Sequence, residues 1–187
     1  MVIPKHNYTL REKSVINLLS ENVLVVEKIR TFLNVGFHGW KDDRAHWWIK
    51  FCNENGIDWK ILEIFEQNIV NAISDGCPVD KIVLGDILNT ETYETVDCLM
   101  FWHGPEHILK DEFLSKLPEI ERKVNKLIIF GMPLGYEPQH TVYGNIHENH
   151  LSEWHSIDWR NLGYTVTEVH DRLIHQHLTA YKILNNE

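Results

Sequence analysis

Apolar and polar positions change rhythm along the 187-residue chain in a way that predicts its elements. From residue 9 to residue 30, "TLREKSVINLLSENVLVVEKIR" mixes apolar and charged positions and predicts one amphipathic helix packed on the core. An alternation follows. "TFLNVGF" reads as a strand and "RAHWWIKFCNEN" as a helix closed by Gly56. "DWKILEIF" is a second strand and "QNIVNAISDG" a second helix, again ended by glycine. "DKIVLGDI" is a third strand, and "VDCLMFW" a fourth, continuously apolar like a strand buried on both faces. Pro105 suits the first position of a helix, the segment from Asp111 to Val124 is helical, and "KLIIFGMP" is a fifth strand.

A βαβα order predicts a parallel sheet covered on both faces. The ending departs from it. After a loop rich in Gly, Pro and His, a short helix, "LSEWHSIDWRNLG", leads into "YTVTEVHDR" and "LTAYKIL". Only a few residues separate these two strand-like runs, which permits a hairpin and forbids a crossover helix. The expected fold is therefore a single α/β domain over residues 1–187. Its mostly parallel seven-stranded sheet carries helices on both faces and an antiparallel C-terminal hairpin, with residues 1–30 as an N-terminal helical segment.

Composition narrows the partners. An apolar fraction of 43% and a charged fraction of 24% are those of a globular domain, and a formal charge of −9 repels phosphate backbones. No nucleic-acid partner is expected. Cys52, Cys77 and Cys98 lie far apart and form no CxxC, the pattern of reduced thiols in a cytoplasm. The first residues hold no apolar core of signal length, and no stretch approaches the roughly 20 apolar residues of a membrane span. These features predict a soluble cytoplasmic protein without a membrane partner; oligomeric state is not legible.

Open parallel sheets bind ligands beyond the carboxyl ends of their strands. Gly36 ends the first strand here, Glu63 the second, Asp86 the third and His103 the fourth. An acidic side chain at the second strand's end, after a glycine turn at the first, is the arrangement that holds ribose hydroxyls. Two carboxylates without a basic residue suit a ligand with sugar hydroxyls, an adenine amino group and a positive charge. A diphosphate would find nothing to neutralise it.

In this setting the chain resembles a small S-adenosylmethionine-dependent methyltransferase of the Rossmann-like class, from about Thr31 to the C-terminus. "FLNVGFHG" resembles that family's first motif, "LEIFEQNIVNA" its acidic second and "IVLGDI" its adenine-contacting third. "VDCLMFWHGPEH" resembles the fourth strand with its following helix start, and "LIIFGMPLG" the fifth strand with its P-x-G turn. An antiparallel final strand also separates these enzymes from nicotinamide-binding relatives. The resemblance implies S-adenosylmethionine as cofactor, held by Gly36, Phe37, Gly39, Glu63, Ile64, Asp86, Ile87 and His103. It implies methyl transfer to an oxygen or nitrogen of a small-molecule acceptor.

The first motif is altered. Of three glycines at alternate positions only Gly36 is in place; His38 and Trp40 replace the others, and Asn34 stands for a usual acid. Gly36 and Glu63 are 27 positions apart, against roughly 20 expected, so "GFHGWKDDR" is expected to take a wider path. The alternative is a methyltransferase-like fold that has lost catalysis and serves as a binding or scaffold subunit.

Histidines supply the remaining chemistry. His107 and His150 are the candidate catalytic bases, since an imidazole titrates near neutrality. His103, Glu106 and His107 invite a metal, but Gly104 and Pro105 place His103 outside the helix that would align it. His147 and His150 have HxxH spacing; a metal-dependent hydrolase is a third reading, and no metal ligands are assigned. Ser152 with Glu153 is a candidate cap for the next helix. His170, His175 and His177 fall at the final hairpin and are expected on the surface. Trp40 and Trp102 are candidates for an aromatic face against a cationic sulfur. Residues 134–154, with Tyr136, Tyr143, His147 and Trp154, read as a lid over the acceptor.

Overall fold

Thr9 starts the first helix. Its hydroxyl accepts the Glu12 N–H at 3.2 Å while Glu12 Oε2 accepts the Thr9 N–H at 2.6 Å, a reciprocal cap for α1 (Leu10–Glu21). The single helix expected over 9–30 is two. The Asn22 side chain and backbone N–H both donate to the Leu18 carbonyl, ending α1, and a short α2 (Val23–Val26) follows. The computed structural model describes residues 1–5, 8–37, 47–170 and 176–185.

The alternation becomes β1 (Thr31–Val35), α3 (Trp47–Glu54), β2 (Asp58–Glu63), α4 (Glu66–Ser74), β3 (Ile82–Leu84) and β4 (Val96–Trp102). Next come a 3-10 turn at Pro105–His107, α5 (Lys110–Arg122), β5 (Val124–Pro133), α6 (Ser156–Asn161), β6 (Thr165–Val169) and β7 (His177–Ile183). Pro105 thus opens a single tight turn rather than the helix expected there. Gly56 and Gly76 close α3 and α4 with φ of 64° and 101°, backbone open to glycine at little cost.

The seven strands run in the order β3-β2-β1-β4-β5-β7-β6. The first five are parallel, and β7 is antiparallel to both β5 and β6. The expected architecture, including the terminal hairpin, is the observed one. Strand order reverses between β1 and β4, so the crevice at a parallel sheet's switch point lies over Val35 and Trp102.

Two apolar layers flank the sheet. One joins Val15, Leu18 and Leu19 of α1 to Trp47, Trp48 and Phe51 of α3, with the Trp48 ring stacked on Phe32 at 5.6 Å. The other joins Phe113, Leu117 and Ile120 of α5 to Trp154 and Trp159. Trp154 is fully buried against Phe113 and Trp159, so it belongs to this core and not to a lid. Ser152 caps nothing; its hydroxyl accepts the Trp154 indole N–H and donates to the Pro105 carbonyl. His155 and Asp158 begin α6 instead. Among the described residues no helix is long and apolar enough to cross a membrane.

Candidate functional site

A cavity of about 810 Å³ opens at the carboxyl ends of β1 to β4. Gly36, Phe37, Glu63, Ile64, Asp86, Ile87, His103, His107 and His150 all line it, so the sequence-predicted site residues converge on one space. Gly39 lies outside the described residues, as do His38, Trp40, Asp42 and Asp43.

The strand tips build one end. Gly36 turns the chain at φ 79°, with open space where a Cβ would stand, and donates its N–H to the Leu62 carbonyl. Asn34, where the altered motif lacks its acid, donates from its side chain to the Gly36 carbonyl at 2.7 Å and so stiffens the turn. Glu63 is 4% exposed and accepts the Phe65 N–H at 2.8 Å. Burial pushes its carboxyl up to about 7, although hydrogen bonds from Phe65, Asn68, Phe37 and Ile64 pull the other way. A carboxyl held in that range is poised to gain from ligand hydroxyls that stabilise its charge. Asp86 accepts the Leu88 N–H at 2.9 Å, so one of its oxygens shapes the turn after β3. Beside it Ile87 is buried, while Ile64 stays partly open.

Side chains from distant segments build the other end. His103 follows β4 at φ 51°, a left-handed conformation that a non-glycine residue holds at a cost. Its N–H is fixed by the Gly131 carbonyl at 2.7 Å. The tight course of the chain here depends on Gly104, where a Cβ would lie 1.9 Å from the Phe101 ring. Arg11 reaches from α1 to within 3.2 Å of His103 Nε2. Arginine offers only donors, so Nε2 accepts and the ring proton sits on Nδ1, facing Glu106. Trp102 stands edge-on to His103 and lines the cavity.

His107 and His150 meet at the far wall, ring centroids 4.9 Å apart. Nδ1 of His107 points to the Asn149 carbonyl at 3.3 Å, and Nδ1 of His150 to the Glu137 carbonyl. Each ring therefore places its proton on Nδ1 and keeps a lone pair on Nε2. The 134–154 segment carries Glu137, Gln139, Tyr143, His147 and Glu148 to the rim, with Tyr136 and Tyr143 turned to solvent.

Two contributors, Arg11 and His177, escaped the sequence, and Glu106, read there only beside His103 and His107 as a metal trio, proves buried. Arg11 is the one lysine or arginine among the described lining residues, against Glu12, Glu63, Asp86, Glu137 and Glu148. The T-x-x-E cap at Thr9 was its only signal, since it sets Arg11 in the first turn of α1. Glu106 is 2% exposed and stands between His103 and the His107–His150 pair. His177, expected on the surface, is fully buried against Trp102 and His103. Burial, with help from His103 and Arg11, holds it well below the ordinary imidazole value, so it stays neutral. Its place at the start of β7, between Pro133 of β5 and Val169 of β6, puts it on an interior strand one in from the sheet's edge. His170 is exposed, and His175 lies outside the described residues.

No family model and no curated protein matches the chain. Solved structures do. A SAM dependent methyltransferase from Archaeoglobus fulgidus is 14% identical, with 91% of this chain and 94% of that one covered at a TM-score of 0.54. Magnesium protoporphyrin IX methyltransferase from Synechocystis PCC 6803, solved with bound SAM, is 10% identical over 92% of this chain and 77% of that one, at a TM-score of 0.57. An O-methyltransferase family protein from Burkholderia thailandensis is 11% identical over 94% and 57%, at 0.55. At such identities the likeness is one of architecture: the chain carries the Rossmann-like methyltransferase fold.

Proposed function

We infer that the protein transfers the methyl group of S-adenosylmethionine to an oxygen or nitrogen of a small-molecule acceptor. The observation that carries this is Glu63. A carboxylate buried at the tip of β2, ringed by main-chain amides, faces a cavity of donor size beside the open turn at Gly36. Two ribose hydroxyls would donate to it. Asp86 and Ile87 flank the adenine, and Gly36 with Phe37 lets the chain pass close to the methionine half. The neighbours supply the same reading by analogy, since one was solved with bound SAM.

Arg11 is the partner for the donor's α-carboxylate, as a charge-assisted bond at the mouth of an otherwise acidic cavity. Trp102 and the acidic lining suit the sulfonium. The methyl group is already activated, so the protein's task is to align an acceptor behind it. His107 and His150 form the acceptor end, where the Nε2 lone pairs receive the proton of a hydroxyl or ammonium. The 134–154 segment, apart from Trp154 in the core, covers that end as a lid.

Calorimetry with S-adenosylhomocysteine on the purified protein tests the reading. A single site with micromolar affinity is expected. A folded protein giving no heat at near-millimolar ligand would remove it.

A further inference from the structure

Glu106 presents an unsolved electrostatic problem. Its carboxylate is 2% exposed, and neither oxygen has a hydrogen-bond partner among the described residues. The His103 Nδ1 atom lies 3.3 Å from Oε1 without forming a hydrogen bond. A buried carboxylate so placed is costly unless something positive completes it. No lysine or arginine among the described residues pairs with it.

Beside it stand two ligand nitrogens. Glu106, His107 and His150 each bring one ligand atom within 4.8 Å of the others. Both imidazoles donate Nδ1–H to a main-chain carbonyl, Asn149 for one and Glu137 for the other. That second bond is what fixes the tautomer and ring orientation of metal-ligating histidines, leaving Nε2 free to coordinate. Three lone-pair donors converge, and none offers a proton to another.

We propose that Glu106, His107 and His150 form a site for one divalent d-block cation of the zinc class, with an open position toward the cavity. Two imidazoles and one carboxylate are the ligand set of catalytic zinc and of related open sites. A tetrahedral ion with bonds of about 2.1 Å holds its ligand atoms roughly 3.4 Å apart, so small side-chain rotations close the set. The spacing arises from two segments. Glu106 and His107 share the turn after β4, and His150 comes from the 134–154 segment, tied down where Leu151 and Ser152 donate to the Glu106 carbonyl. The open position suits an oxygen, nitrogen or sulfur lone pair of a small molecule. Where Proposed function holds, that molecule is the methyl acceptor; the ion then lowers its pKa, and the two rings act as ligands rather than proton acceptors.

Cobalt(II) is the probe, added to chelator-treated full-length protein. One equivalent is expected to produce the visible absorption of a tetrahedral Co(II) centre, and zinc is expected to displace it. His107→Ala and His150→Ala, both at partly open positions, are expected to weaken zinc binding at least tenfold by calorimetry, whereas exposed His155→Ala leaves it unchanged. Absence of cobalt absorption and zinc heat at submillimolar metal overturns the site. So does binding that survives both histidine substitutions. S-adenosylhomocysteine titrations of the same variants separate the two readings. Metal binding lost with donor affinity kept supports the cation site, and donor binding absent throughout with metal bound removes only the methyltransferase.

Discussion

The two ends of the cavity are built by different means. The end at Gly36, Glu63 and Asp86 is made by consecutive strand tips, with main-chain amides doing much of the holding. The end at His103, Glu106, His107 and His150 is made by side chains that meet from α1, the turn after β4, the 134–154 segment and β7. Parallel pairing alone places the first group, because β1, β2 and β3 end in register. The second needs more: His103, Glu106 and His107 share the turn after β4, but their partners Arg11 and His150 come from distant segments. Arg11 and His103 stand 92 positions apart in the chain, and His107 and His150 stand 43 apart. The first end follows from the fold, and the second from contacts particular to this chain.

Glu63→Gln should break the first end most sharply. Loss of a charged acceptor for two hydroxyls should raise the dissociation constant for S-adenosylhomocysteine between tenfold and a hundredfold. The same change should stabilise the unliganded protein at pH 8. The native carboxyl titrates at about 7, above its ordinary value, so its contribution to stability is full below about 4.5 and is lost as pH rises to 7. Removing the charge should recover about 2 kcal/mol, or roughly 5 °C in Tm. A variant that loses stability at pH 8 would show that Glu63 is structural.

Arg11→Ala probes the junction between the ends. S-adenosylhomocysteine should bind about tenfold more weakly. Methylthioadenosine, which lacks the carboxylate, should bind as before. Equal weakening of both ligands would place Arg11 in the fold rather than at the carboxylate.

The pH dependence of donor binding follows from the sign at Glu63. Hydroxyl donors favour the ionised carboxyl, so affinity should fall by up to tenfold between pH 7 and pH 6 and level off above about 8. Glu63→Gln should flatten that profile. A parent profile that is flat between pH 6 and 8 would contradict a ribose contact at this carboxyl.

The smallest effect belongs to His177. Its folded value is depressed, so the unfolded chain binds more protons once pH falls below about 6.5, and stability declines from there downward. His177→Leu, which removes two ring nitrogens without partners among the described residues, should add about 1 kcal/mol at pH 7 and more at pH 5.5. Destabilisation at both values would mean that the ring has a polar partner after all.

Much of the fold is legible in the chain. Continuous apolarity in "VDCLMFW", glycines after α3 and α4, and the short link between the last two strands each report a local demand on the backbone. Those demands survive folding, so Gly36, Glu63, Asp86 and His103 could be placed at strand ends by counting. Asn22 shows the limit at short range, because a side chain that bonds Leu18 divides a segment whose hydrophobic pattern runs on.

The sequence alone determined which residues end the parallel strands and hence one half of the cavity, since strand direction and side-chain alternation are properties of nearest neighbours. Tertiary packing alone decided that His177 is buried beneath Trp102, that Trp154 is core, that Arg11 enters the cavity, and that Glu106 meets two imidazoles. Those contacts join segments far apart in the chain, and their register depends on how α1, the 134–154 segment and β7 close over one edge of the sheet. No periodicity records a distance between side chains that become neighbours only when every intervening element has packed.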